Sequence, residues 1–210
     1  MKSFKTYILE AYPENFSFEE FNNIRSYNGK LKYANERLKK LSSGSSRVVY
    51  QVDEEKVLKI AKNKKGLAQN ESEADWSKDA YDVTAKVFEN SPEYFWVEME
   101  LAKKLTPTRF KQLTGLSIQD MQTAMRVLRE RMRPIRNLAP LKLTPEAEKE
   151  LYENEFYLDI ERFIADYDME TGDFGRLNSY GEVIRDGQPK VVLVDFGVTQ
   201  QTWNDYYKVS

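Results

Sequence analysis

The sequence predicts an α+β protein in two parts: a small antiparallel sheet with one helix, then a reduced, mainly helical part. Three observations carry this. Residues 41–61 read as short strands around a Ser/Gly loop, and residues 84–101 as two more strands split by Asn90-Ser91-Pro92. Residues 106–167 are a succession of helix-start signals on apolar residues at helical spacing. Asp186-Gly187 then sits between the run 181–185 and the apolar run Val191–Val194, which is a hairpin signal.

A chain of 210 residues suits one domain or two small lobes sharing a cleft. Its 40% hydrophobic and 13% aromatic content can build a core, and a formal net charge of −2 argues against a wholesale polyanion binder, though not against a local basic patch. No apolar run is long enough to span a bilayer and no secretory signal is present, so a soluble, intracellular protein is expected. There is no Cys and no His. Thiolate nucleophiles, disulfides and Cys-based zinc sites are thereby excluded, and so is the commonest general base. Any chemistry runs on carboxylates, Lys, Arg, amides and hydroxyls, a set that suits hard, oxygen-loving cations such as magnesium.

Phe4, Tyr7, Ile8 and Ala11 fall at helical spacing before Pro13. This segment reads either as a helix packed on the body or as a targeting sequence. Its Met-Lys start and Ile8-Leu9-Glu10-Ala11 resemble the capsid-targeting peptides of internal head proteins in large tailed phages, which implies cleavage after Glu10. Ser17 and Glu20 form a capping-box pattern for a helix ending near Asn28-Gly29, where glycine permits a left-handed stop. A Lys/Arg-rich helix is expected over residues 30–41.

Gly44, Ser45 and Ser46 lie in the first loop. It reads as a flexible turn or as a place where backbone amides approach phosphates. In the strand 56–61, Lys59 alternates with Leu58 and Ile60 and so faces away from them. The following helix, residues 66–79, puts Glu73 on a face with Trp76 and Ala80. A Glu beside apolar groups needs a partner, and Lys59 is the natural one; Glu71 is the alternative. Thr106-Pro107 starts a helix that stops at Gly115, Ser117 caps another to about Met132, and Thr144-Pro145 starts the longest, to about Tyr167. Leu151, Phe156, Leu158, Ile160, Phe163 and Ile164 anchor that helix in the core. Arg126, Arg129, Arg133 and Arg136 recur at helical spacing with Arg131 nearby, reading either as a solvated stripe or as a face for phosphate or nucleic acid.

Within residues 172–197, Asp173, Asn178 and Asp195 are delivered to the ends of the hairpin. Two carboxylates and an amide so placed suit holding a divalent metal on phosphate oxygens and orienting a hydroxyl.

The order of these pieces resembles the protein-kinase-like superfamily over most of residues 41–197. Residues 41–50, Leu-Ser-Ser-Gly-Ser-Ser-Arg-Val-Val-Tyr, are similar to its glycine-rich loop, with Gly44 as the middle glycine and Ser42 and Arg47 in place of the outer ones. Val57-Leu58-Lys59 resembles its Ala-x-Lys, residues 99–102 its adenine-binding hinge, Asp173 to Asn178 its Asp-x4-Asn catalytic loop, and Asp195-Phe196-Gly197 its metal motif. Gly172 before Asp173 is similar to the small-molecule kinases, and Asp173-Phe174-Gly175 is a second copy of the metal triplet.

The resemblance implies a two-lobed fold using ATP and Mg2+. Lys59, fixed by Glu73, would neutralise the α- and β-phosphates. Gly44, Ser45 and Ser46 would cover the nucleotide, and backbone groups at Glu100 and Ala102 would receive the adenine. Asp173 would accept the proton of the acceptor hydroxyl, and Asn178 and Asp195 would hold magnesium. The expected parts are an N-terminal helical extension (1–40), an N-lobe (41–102) and a truncated C-lobe (103–210). The sequence ends soon after Gly197, so the family's activation segment and distal helices are not expected. The implied activity is an ATP- and magnesium-dependent phosphotransferase acting on a protein or on itself. The alternative is an inactive kinase-like binding module associated with a phage virion. Partners are then a nucleotide and a phage-head or host protein, with nucleic acid only through the arginine stripe and no membrane. The expected location is the infected host's cytoplasm or the phage head interior.

Overall fold

A computed structural model describes residues 12–80, 82–133 and 143–208. The segment resembling a targeting peptide, its cleavage point and Arg136 lie outside them. The fold is α+β, and the chain divides into two compact units. The first takes the described residues up to Asp79 together with Lys86–Leu101; the second takes Ala80–Ala85 and the described residues from Ala102 onward.

The first unit opens with α1 (Phe18–Asn23) and α2 (Tyr27–Arg37). The expected single helix to Gly29 is two. Ser17 caps α1, and Ser26 accepts Gly29 N–H to start α2, so Gly29 lies inside a helix and not at a stop. What Gly29 provides is a close approach: a Cβ there would stand 2.6 Å from Ile24 Cγ2 and 2.8 Å from Ser26 Oγ. The helix expected over 30–41 ends at Arg37 because Lys39–Ser43 is drawn into strand β1 by pairing with β2 (Arg47–Gln51).

With β3 (Lys56–Ala61), β4 (Val87–Asn90) and β5 (Trp96–Glu100), these strands form an antiparallel sheet in the order β1-β2-β3-β5-β4. Leu58 and Ile60 of β3 face an aromatic core shared with Tyr12, Phe16, Phe21, Tyr50 and Trp96. Residues 12–38 are thus part of the core beneath the sheet. Trp96 Nε1 donates to Asn22 Oδ1 at 2.9 Å, and Tyr12 OH donates to buried Glu98 at 2.9 Å. Buried Lys30 donates to Phe21 O at 2.7 Å and lies 4.4 Å from the Phe21 ring centroid. The opposite face of β3 carries α3 (Lys64–Trp76), capped by Asn63.

The second unit has a small sheet in the order β6-β7-β8, from β6 (Lys103–Lys104), β7 (Tyr180–Arg185) and β8 (Gln188–Leu193). Asp186 (φ 52°) and Gly187 (φ 74°) turn the hairpin with positive φ at both positions, the conformation that the Asp-Gly pair predicts. The strand expected at 84–88 is divided. Thr84 bridges Leu193 of β8 in parallel, whereas Val87 onward joins the first unit's sheet.

Helices α4 (Pro107–Thr114) and α5 (Ile118–Met132) begin at the expected caps, and Gly115 (φ 81°) ends α4. The long helix expected from 144 to 167 is instead α6 (Pro145–Tyr152) and α7 (Glu155–Asp166). Asn154 makes the break, accepting Tyr157 N–H at 2.9 Å and donating to Thr114 O at 2.8 Å. Helix α8 (Gln200–Tyr206) follows the hairpin. No helix among the described residues is long and apolar enough to cross a membrane.

Candidate active site

In the first unit, the β2–β3 hairpin and α3 assemble a buried charge cluster. Lys59 is 4% exposed and Glu73 0%. Lys59 Nζ donates to both Glu73 oxygens, at 3.0 and 2.9 Å. The partner left open between Glu71 and Glu73 is therefore Glu73; Glu71 is exposed. Strand alternation produces this, since Leu58 and Ile60 point to the aromatic core and Lys59 to α3.

Arg47 joins the same carboxylate, a role the sequence reading missed. Its Nη2 donates to Glu73 Oε1 at 2.9 Å, and its Nη1 lies 2.7 Å from Oε2 and 3.3 Å from Asn70 Oδ1. The signal was present: Arg47 is opposite Ala61 and Val49 opposite Lys59, so β2 alternation puts Arg47 on the face of Lys59. Burial pushes the Glu73 carboxyl up, but the charges and hydrogen bonds of Arg47 and Lys59 outweigh it and hold the group below its ordinary value.

The loop 44–46 is pinned to the start of α3. Gly44 O accepts Lys62 Nζ at 2.8 Å, Ser45 O accepts Asn63 Nδ2 at 3.1 Å, and Ser46 O accepts Lys62 N–H at 2.7 Å. Ser46 Oγ donates to Gln69 Oε1 at 2.6 Å. Gly66 permits the contact, since a Cβ there would stand 2.3 Å from Ser46 O. Glu100 N–H donates to Lys86 O at 2.8 Å and Leu101 N–H to Glu55 O at 2.6 Å. Ala102, in the second unit, packs where Gly181 leaves room, 2.4 Å from the position of a Cβ.

In the second unit, the hairpin register brings the other three residues to one end. Tyr180 pairs with Leu193, and Val194 N–H donates to Ser179 O at 2.8 Å, so Asn178 and Asp195 leave the hairpin side by side. Glu170 N–H donates to Val198 O at 3.0 Å, and Met169 bridges Thr199, which ties the approach to Asp173 to the chain after Asp195. Phe174 and Phe196, one from each Asp-Phe-Gly triplet, are buried against Phe163 of α7, with ring centroids 6.2 and 5.9 Å away. Gly175 lies against α5, where a Cβ would meet Gln122 Cα at 3.2 Å. With the rings inward, Asn178 and Asp195 are exposed and Asp173 is half-buried. Asp173 Oδ1 pairs with Arg176 Nη1 at 2.9 Å.

No group of three or more carboxylates that could hold a metal forms among the described residues. Asn178 and Asp195 nevertheless offer an all-oxygen donor pair. That fits magnesium, which keeps several waters and takes one or two protein oxygens plus phosphate. The arginine stripe is engaged at two of its described members. Arg131 pairs with Glu148 and the Tyr152 hydroxyl, and Arg133 with Asp168 at 2.8 Å and Glu170 at 3.3 Å; Arg126 and Arg129 are exposed.

No family model matches the chain, and no curated protein does. Among solved structures, it is similar to SAICAR synthase from Saccharomyces cerevisiae complexed with SAICAR, at 13% identity and TM-score 0.39 over 76% of this chain and 73% of that one. It is also similar to the protein of the streptomycin–ATP–APH(2″)-IIa ternary complex, at 15% identity and TM-score 0.37 over 88% of this chain and 71% of that one.

Proposed function

We propose that the chain is an ATP- and magnesium-dependent phosphotransferase of the protein-kinase-like superfamily, with a protein or itself as acceptor. The observation that supports it most is Lys59, a buried lysine on a central strand, held to a buried glutamate of the adjacent helix. Such a lysine is a fixed positive charge in a low-dielectric setting, where it acts on phosphate far more strongly than in water.

In this reading Lys59 neutralises the nucleotide phosphates and Glu73 aligns it. Gly44, Ser45 and Ser46 line the phosphate side, while backbone groups at Glu100 and Ala102 take the adenine. Asn178 and Asp195 hold magnesium through oxygen. When bound, the metal supplies charge neutralisation on the phosphates as they are transferred. Asp173 orients the acceptor hydroxyl and takes its proton, with Arg176 beside its carboxylate at 2.9 Å. Positioning and charge account for the chemistry, in keeping with a chain that has neither His nor Cys.

Incubation with Mg2+ and γ-labelled ATP tests this. Wild type is expected to label itself or an acceptor protein, with Asp173→Asn slower by about 10²–10⁴-fold and Asp195→Ala inactive. Equal labelling by wild type and Asp195→Ala overturns it.

One observation favours the second reading, a binding module without turnover in a phage particle. Gly44 N–H, an amide of the loop that would otherwise meet phosphate, already donates to Arg47 O at 2.9 Å inside the protein. That reading expects Mg-ATP to raise the melting midpoint without transfer. It also expects mass spectrometry of the particle to find a chain beginning at Ala11; a persistent Met1 start overturns the targeting part.

A further inference from the structure

Two cations share one buried carboxylate in the first unit, and the second of them has no role in the reaction as described. Glu73 is fully buried. If Lys59 alone held it, turning the ammonium toward a phosphate would weaken the only pairing of a buried anion, and buried unpaired carboxylates are strongly destabilising. Arg47 changes that balance. Its planar fork spans both Glu73 oxygens at 2.9 and 2.7 Å, a geometry that a point-charge lysine does not reproduce. The guanidinium is itself fixed. Nη1 reaches Asn70 Oδ1, and Asn70 donates onward to Tyr94 O at 2.8 Å. Arg47 also begins β2 directly after the loop 44–46, whose carbonyls are tied to Lys62 and Asn63. Loop exit, carboxylate and lysine are thus joined through one side chain.

We propose that Arg47 is a positioning residue: it holds Glu73 as an ion pair, so that Lys59 turns to the phosphates of a bound nucleotide without stranding a buried carboxylate. This rests on the phosphotransferase reading. It assigns a purpose to an arginine standing where the family resemblance expects glycine.

Calorimetric titration of the full chain with Mg-ATP tests it. Arg47→Met is expected to weaken binding about tenfold, the equivalent of about 1.4 kcal/mol. Adding Glu73→Gln to that variant is expected to recover part of the loss and not to deepen it, because Lys59 no longer has a charge to abandon although it loses the carboxylate that aligns it. A merely structural Arg47 predicts the reverse, further loss on adding Glu73→Gln. Wild-type affinity in Arg47→Met, or no recovery in the double variant, overturns the proposal. If Arg47→Met does not fold, Arg47→Lys decides. It keeps a cation beside Glu73 without the two-oxygen fork and is expected to bind about three- to tenfold more weakly than wild type, while wild-type affinity overturns the proposal.

Absence of Mg-ATP binding by wild type overturns the phosphotransferase reading and the phosphate role of Lys59 with it. The hold of Arg47 on Glu73 is then read from urea midpoints alone. Lys59→Met and Arg47→Met together are expected to lower the midpoint by more than the sum of their separate shifts, since only then does Glu73 lose both cations. Additive shifts overturn the shared hold.

Discussion

Glu73 is the residue on which the first unit's polar interior depends. Its carboxyl is held below its ordinary value of 4.5 in the folded state. A group depressed in this way contributes stability that is fully present above its unfolded value and is lost as pH falls through the folded one. Urea midpoints at pH 7, 5 and 3.5 are expected to fall with acid in wild type. Glu73→Gln, weaker by about 3–5 kcal/mol at neutral pH for stranding two buried cations, is expected to approach wild type as pH drops. Lys30 shares that direction in pH, but its charged form opposes the fold where the charged form of Glu73 supports it. Burial lowers it to about 8 from 10.5, so its protonated form opposes folding below that value, and the opposition lifts as pH rises toward 10.5. Wild type is expected to gain stability relative to Lys30→Met across that alkaline window; parallel curves would refute the assignment. The Lys59–Glu73 pair was legible because strand alternation and helical spacing are local rules. Arg47 was not, because it read as a missing glycine and not as a side chain with a direction.

At the scale of elements, caps and turns were the most legible features. Ser17, Thr106, Ser117 and Asp186-Gly187 act within four residues of themselves. The misread boundaries had distant causes. Asn154 breaks the long helix by reaching Thr114, forty residues back. Asn154→Ala is expected to lose about 1 kcal/mol from the cap alone and more from the freed Thr114 carbonyl, read by chemical denaturation. Gly66 in α3 sets two effects against each other. Alanine is the better helix former by about 1 kcal/mol, but its Cβ would stand 2.3 Å from a backbone oxygen and 2.9 Å from Ala61 Cα. Backbone does not yield as a side-chain tip does, so sterics win, and Gly66→Ala is expected to destabilise by about 1–3 kcal/mol. A more stable variant would show that the loop 44–46 does not rest on the helix.

At the scale of the whole molecule, the class and the order of elements were legible. A strand expected at 84–88 serves both units because its partners lie far along the chain: Val87 pairs with Met99, whereas Thr84 bridges Leu193. The aromatic residues before the sheet likewise gave no sign that they belong to its core. Tyr12 reaches Glu98 across 86 positions, and Asn22 reaches Trp96 across 74. The first unit therefore has no complete core until β5 exists. A chain stopped after Asn90 is expected to lack cooperative unfolding by circular dichroism. In the full chain, Phe16→Ala is expected to destabilise by about 3–5 kcal/mol despite lying outside every strand and helix.

The repeated Asp-Phe-Gly triplet shows how a chain without histidine or cysteine presents acids. Each copy sends its ring to Phe163, which leaves Asp195 exposed and Asp173 half-buried. One ring on α7 is thus a common foothold for two acid-bearing loops more than twenty residues apart in sequence. Hydrocarbon contact with Phe163 anchors both loops, and the Arg176 pair adds a charge contact at Asp173.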